Sequence, residues 1–397
     1  MPRRLPPVYS PLPPLQRFLR SRASRDDALE LAIQVISHRY PNYGIEFFDN
    51  GTSALQQAVR VALSGTDPRR PELVAVPAWA CPDIGTAVLA AGAGIVLFDV
   101  HADTLEPDIA SVRWALELGA RVVIVPHFFG RLADIPSFLR LAAKYGAAVI
   151  EDAAQHAGGR LSGQVGGSFG DLSVLSFGRG KGLNAGGGGA LLRRCGTAFS
   201  PRSPSTEAIT PPTWTRIATL WGSDWLSHPD RFILPWSVPW LRLGETVYHE
   251  PRARGAISLL SLQLLPWVLE DEARQLNVRR EHEARYREGL AGYPGACITP
   301  VNHPHFSGAL RMPIRIPSGS LGSPTVVAMR ALGVVQSYPR TLLQYEPIRA
   351  ACINARESFP GAESLAGSLV TLPTHQHVTP QDREVILSAL RDVLSEE

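Results

Sequence analysis

Lysine is nearly absent from this chain. Of 39 lysine and arginine residues only Lys144 and Lys181 are lysines, and Lys181 lies in Ser176-Phe177-Gly178-Arg179-Gly180-Lys181-Gly182-Leu183-Asn184-Ala185, ahead of four glycines, Gly186 to Gly189. A guanidinium stays protonated and is a poor nucleophile, whereas a lysine amine can lose its proton in a tuned site and attack a carbonyl. The same stretch also reads as a basic loop beside a flexible glycine run. A second group, Phe47-Phe48-Asp49-Asn50-Gly51-Thr52-Ser53-Ala54-Leu55, has a strand end, a glycine and two hydroxyl residues before a helical pattern that continues to Leu63. Backbone N–H groups converging at such a helix start attract anions, phosphate above all; an ordinary cap after an Asn-Gly turn has the same look. A third is Glu151-Asp152-Ala153-Ala154-Gln155-His156 at the end of an apolar run. An acid buried there needs a cation or hydrogen-bond donor. For Asp152 that partner is a local arginine or a protonated ligand nitrogen, and Gln155, three residues on, could face the same place.

These groups must be held by a regular scaffold, and the sequence supplies one. Strand-like runs at Leu73–Val76, Gly94–Val100, Arg121–Pro126, Ala147–Glu151 and Leu172–Ser176 alternate with helical patterns at Pro82–Ala91, Asp108–Leu118 and Asp134–Tyr145. Strands this apolar, separated by helices, indicate an α/β fold with a mostly parallel sheet covered on both faces. Ligands of such sheets lie at the carboxyl ends of the strands, where Trp79, His127 and the Glu151–His156 group fall. Neither a dinucleotide fingerprint nor a Walker loop explains them. No G-x-G-x-x-G follows the first strand, and Gly180-Lys181 is followed by Gly182 rather than Ser or Thr.

Composition narrows the class. A net charge of +3 over 397 residues, with acidic and basic residues interleaved, makes no case for nucleic-acid binding. Cys81, Cys195, Cys297 and Cys352 are widely spaced, without the pairs of a zinc site or disulfide framework, and His375 with His377 is a weak metal signal, so no metal is expected. No apolar run reaches the ~18 residues of a membrane span, and Met1–Arg22 lacks the apolar core of a signal peptide. No transmembrane segment and a cytoplasmic location are the expectations.

Taken together, Gly51-Thr52-Ser53, Glu151-Asp152-Ala153-Ala154-Gln155, Ser176-Phe177 and Lys181 resemble the DegT/DnrJ/EryC1/StrS family of pyridoxal-phosphate-dependent aminotransferases. Pro126-His127-Phe128-Phe129-Gly130 is similar to the family's V-H-x-Y-G, and Leu372–Thr379 to its L-P-x-H-x-x-L-T. The resemblance implies fold type I, pyridoxal 5'-phosphate as cofactor, and a homodimer with shared active sites. It implies transfer of an amino group from an amino acid, glutamate in most relatives, to a keto-sugar that is usually nucleotide-linked. Lys181 would form the internal aldimine and shuttle the proton, Asp152 would pair with the pyridinium nitrogen, and Gln155 would contact the ring hydroxyl. Thr52, Ser53 and Ser176 would bind the phosphate, and Gly51 beside them would also contact the cofactor. Relatives with histidine in place of the lysine act as dehydratases, so lysine favours amination; cyclitol amination, sugar dehydration and a regulatory protein without turnover are the rival readings. The chain departs from the family at Cys81, where many relatives carry a cofactor-stacking aromatic, which leaves the ring either stacked by Trp79 or covered differently. It departs again near Arg252-Ala253-Arg254-Gly255, where a phosphate-binding asparagine has no clear counterpart.

Three regions are expected: an extended proline-rich arm over 1–25, a large cofactor-binding α/β domain over 26–255, and a connector helix with a small C-terminal α+β domain over 256–397. Within the large domain, 197–246 is an insertion rich in proline and holding five of the eight tryptophans. It suits a substrate wall, a subunit or membrane-surface contact, or a packed cover for its own domain.

Overall fold

The computed structural model describes residues 3–20, 23–199, 209–298 and 308–395. The chain starts as an irregular arm and turns helical at α1 (Leu15–Arg20), which buries Phe18. The arm is therefore not extended to residue 25, because the prolines end at Pro14 and the next six residues can hydrogen-bond as a helix. Ser24 caps α2 (Arg25–Arg39) by accepting from the Asp27 amide.

β1 (Tyr43–Phe48) then enters α3 (Gly51–Ser64), and strand and helix alternate through β2 (Leu73–Pro77), α4 (Pro82–Ala91), β3 (Gly94–Phe98), α5 (Ile109–Glu117), β4 (Val122–Pro126), α6 (Ile135–Ala143) and β5 (Ala148–Asp152). A small hairpin of β6 (Arg160–Leu161) and β7 (Gln164–Val165) leads to β8 (Leu172–Ser176) and β9 (Gly189–Arg194). The sheet order is β1-β9-β8-β5-β4-β2-β3, and β9 alone runs against its neighbours. Side chains alternate between the two faces of each strand, so Val74, Val76, Ile124 and Ile150 pack under α3 and α4, while Ala75, Val96, Val123 and Val149 pack under α5 and α6. At the β9 end, Leu175, Ala190 and Leu192 meet α2 and a long helix from the other half of the chain.

The insertion contributes α7 (Trp214–Leu226) and α8 (Ile233–Trp236), and the long helix is α9 (Leu259–Gly289), capped by Ser258. A second sheet, ordered β10-β12-β11, joins β10 (Arg311–Arg315), β11 (Val335–Gln336) and β12 (Leu369–Pro373). In chain order this half also holds α10 (Pro324–Met329), α11 (Glu346–Ala350), α12 (Pro360–Ser368) and α13 (Pro380–Leu394); α10 and α13 pack on the small sheet, whereas Ile348 of α11 packs on α4. Thr379 and Asp382 cap α13 reciprocally with Pro380 at its first position.

Candidate active site

A cavity of about 580 Å³ opens where β5 and β8 end and α3 begins. Asn50, Gly51, Thr52, Ser53, Asp152, Ser176 and Lys181 all line it. Asn50 caps α3: its Oδ1 accepts from the Ser53 amide at 2.9 Å, while its Nδ2 is buried without a partner. A donor left this way in a pocket wall asks for an acceptor that the chain itself does not provide. The floor is close-packed. A Cβ on Gly51 would come 2.8 Å from Ser176 Cβ, and one on Gly189 would come 2.7 Å from the Asn50 carbonyl, so this crossing of α3 over β8 and β9 requires bare backbone.

Two adjacent acids end β5, and strand alternation sends them to opposite faces. Glu151, fully buried, accepts from His127 Nε2 (2.7 Å), the amides of Gly167, Phe169 and Gly170, and Ser173 Oγ. Burial pushes its carboxyl up, but the His127 and glycine donors outweigh that and hold it below the ordinary carboxylate range. His127 Nδ1 accepts from the Ala133 amide, so the network assigns the proton to Nε2. Asp152 faces the cavity with far less support. Burial raises its pKa above the ordinary value, and chiefly the Ala154 amide (3.0 Å) and the Lys181 charge act against this. The first acid is thus a structural hub, and the second is a charge held ready for a cation.

Two residues expected at the site stand apart from it. Trp79 is fully buried, donates its indole N–H to the Tyr338 carbonyl (2.9 Å), and packs against Phe128, Phe129 and Tyr338. It shows no ring to the cavity, so stacking on a ligand there is not its role in this structure. Gln155 is likewise absent from the cavity lining: its Oε1 accepts from the Phe129 amide (2.6 Å) and its amide donates to the Tyr338 hydroxyl. Phe129 and Tyr338 both have left-handed backbones, at φ 57° and 49°, and Gln155 ties the two turns together. His127 serves Glu151 rather than the cavity.

The facing wall was largely invisible in the sequence. Cys81, Asp83, Tyr248, His249, Glu250 and Arg252 complete it. Burial, with Asp83 alongside, pushes the Cys81 thiol up to about 12, which leaves it a small neutral surface rather than a nucleophile. Asp83 pairs with His249 Nδ1 at 3.0 Å, and the His249 carbonyl accepts from Thr86 Oγ1 at 2.8 Å. Asp49 anchors this segment to the sheet, taking the Gly255 amide at 3.2 Å and Arg252 at 3.5 Å on its side chain. Among the described residues, no tryptophan of the insertion lines the cavity. Nor does any group of His, Cys, Asp and Glu among them form a metal cluster.

The family sequence model described as the DegT/DnrJ/EryC1/StrS aminotransferase family matches residues 42–196 and 264–391, which carry every feature of the cavity floor. The chain belongs to that family. DegT/DnrJ/EryC1/StrS relatives include the UDP-N-acetyl-3-dehydro-alpha-D-glucosamine 3-aminotransferase of Acidithiobacillus ferrooxidans, 36% identical over 36% of this chain and 38% of that protein. The match thus spans little more than a third of that relative's length. The dTDP-4-dehydro-2,3,6-trideoxy-D-glucose 4-aminotransferase of Saccharopolyspora spinosa is 24% identical over 83% of this chain and 79% of its own. Among solved structures, AtS13 from Actinomadura melliaura superposes with a TM-score of 0.74 at 22% identity, covering 98% of this chain and 99% of that one. The PLP form of a putative sugar aminotransferase from Streptococcus pneumoniae gives 0.70 at 16% identity, covering 100% and 99%. The fold shared with these structures therefore reaches beyond the segments that the family model matches.

Proposed function

We propose that the protein is a pyridoxal-phosphate-dependent aminotransferase that moves an amino group from an amino acid, with glutamate as donor, to a keto-sugar carried on a nucleotide. It would work in the cytoplasm as a homodimer with sites at the subunit interface, the large domain spanning 26–255 and the small one 256–397. The observation that carries this reading is the pairing, in one cavity, of Lys181 with an under-supported buried Asp152 beside the start of α3. The residues present fit the cofactor. The orphaned Asn50 Nδ2, the first amides of α3 and the hydroxyls of Thr52, Ser53 and Ser176 suit a phosphate, and the Asp152 carboxylate suits a protonated ring nitrogen. The two relatives named for UDP- and dTDP-linked sugars support the acceptor class.

When bound, pyridoxal phosphate supplies an aldehyde and an electron-withdrawing ring that stabilises negative charge on the amino acid's α-carbon. The chain's own residues do the rest. Asp152 would pair with the ring nitrogen and favour its protonated form. The α3 terminus would hold the phosphate, in the same cavity that Asp152 lines. Lys181 Nζ would hold the cofactor covalently and would also serve as the base that carries the proton leaving the amino acid's α-carbon. The small Cys81 leaves space at the cavity wall where a bulkier side chain would stand. Gln155 acts from behind, fixing the Phe129 and Tyr338 turns.

A near-visible absorption spectrum, borohydride reduction and peptide mapping test the assignment. The reduced cofactor is expected on the peptide containing Lys181. Lys144, exposed at the end of α6 and outside the cavity, is the only competing side chain. Absence of the adduct, or its presence on Lys144, would overturn the reading; a donor-dependent change in the absorption band on adding glutamate tests the donor.

A further inference from the structure

The proline-rich arm makes contacts that neither packing nor the cavity accounts for. Prolines lack an N–H, so an arm with six of them in fourteen residues can offer mainly carbonyls to its surroundings. The fold meets these carbonyls with side-chain donors drawn from distant parts of the chain. His375 Nε2 donates to the Pro6 carbonyl (2.8 Å), Arg311 to Pro7, Trp221 Nε1 to Pro13 (3.0 Å), and Asn184 Nδ2 to Ser10 (2.9 Å). The His375 proton has a fixed place, since a carbonyl only accepts and Nδ1 takes the His377 amide.

At the centre is Ser10, 5% exposed. Its hydroxyl lies 2.7 Å from Arg279 Nη2 and 2.9 Å from the Lys181 carbonyl. A guanidinium can only donate, so Ser10 accepts from Arg279 and gives its own proton to Lys181. On the opposite side the same loop has no slack: a Cβ on Gly182 would fall 2.3 Å from the His156 carbonyl oxygen. The Lys181 backbone is therefore clamped between the β5–β6 connection and the arm. The arm is in turn tied to the small sheet through Arg311 and to the tryptophan-rich insertion through Trp221.

We propose that residues 5–13 form a strap that sets the position of the Lys181 backbone, with Ser10 as the positioning residue. Its importance for the reaction rests on the function proposed above; its mechanical claim does not. The insertion gains a role here as the seat of the strap.

Hydrogen exchange on the cofactor-free, full-length protein tests the strap. In Ser10→Ala, the peptide spanning 177–187 is expected to exchange about tenfold faster than in wild type, the scale of one lost hydrogen bond plus a stranded charged donor. Exchange in α3 should stay unchanged. Ser10→Thr, which keeps the hydroxyl, should restore protection. In the loaded protein, Ser10→Ala should slow the glutamate half-reaction about tenfold with little change in its half-saturating concentration, since the loss is in lysine placement rather than donor binding. Exchange of 177–187 within about twofold of wild type, or a Thr variant that behaves like Ala, overturns the strap. If Ser10→Ala fails to fold, Trp221→Phe carries the test from a remote anchor: about threefold faster exchange in 177–187 supports the strap, and unchanged exchange refutes it. Failure to label Lys181 would refute the enzymatic reading alone.

Discussion

Replacing Asp152 with asparagine should move stability and activity in opposite directions. Asparagine retains an oxygen for the Ala154 amide, 3.0 Å away, and removes only the charge. Without cofactor that charge is a burden, because burial raises the carboxyl's pKa and Lys181 only partly offsets it. The cofactor-free variant should therefore match wild type or exceed it by up to about 1 kcal/mol. With cofactor bound, the sign reverses. Two unit charges ~4 Å apart attract by about 4 kcal/mol at an effective dielectric constant of ~20, equivalent to about 3 pKa units on the ring nitrogen. The nitrogen would lose that support for its protonated form, and the half-reaction with glutamate should slow by about 10³-fold. Denaturant titration of the cofactor-free proteins and single-turnover spectroscopy of the loaded ones read the two effects separately. The reasoning fails if the variant turns over within about tenfold of wild type, or if its cofactor-free form is destabilised by more than about 1 kcal/mol.

Three further outcomes follow from the geometry. Gly51→Ala places a Cβ 2.8 Å from Ser176 Cβ, which should cost about 1–3 kcal/mol of stability and weaken cofactor binding about tenfold or more in an absorbance titration. Glu151→Gln puts an amide against the donors that the carboxylate now satisfies, and a loss of about 3–5 kcal/mol in urea unfolding is expected; a loss under about 1 kcal/mol would contradict the hub role. His375 has its pKa lowered to about 3 by burial, against 6.5 unperturbed. The unfolded chain therefore binds this proton first, and stability is full above pH ~6.5 and falls toward pH 3 by up to about 1.4 kcal/mol per pH unit. His375→Gln should flatten that part of the pH–stability curve, and an unaltered curve would rule the group out.

Much of the fold is legible because long apolar runs and helix caps are local signals. Pro82–Ala91 and the Thr379 cap can be placed from neighbouring residues alone. β9 is not so placed, because Gly189-Ala-Leu-Leu-Arg-Arg directly follows a glycine run and only its partners, β1 and β8, show that it is a strand. The lysine, Asp152 and the start of α3 are readable because rare residue types and strand ends mark them. Trp79 misleads because a large aromatic after a strand suits either a core or a site, and its deciding neighbour, Tyr338, lies 259 residues away. Asp83 and His249 carry no local mark at all. Their pairing exists only because Asp49 and Thr86 bring the 248–255 segment back to the sheet.

The strap also orders events in time. Residues 5–13 leave the ribosome before every surface that receives them, and the bond between Pro6 and His375 spans 369 positions. Closing so long a loop early would cost entropy with no contact to offset it. The arm should therefore remain undocked until the C-terminal sheet has formed, and maturation of the Lys181 loop should be among the last steps of folding.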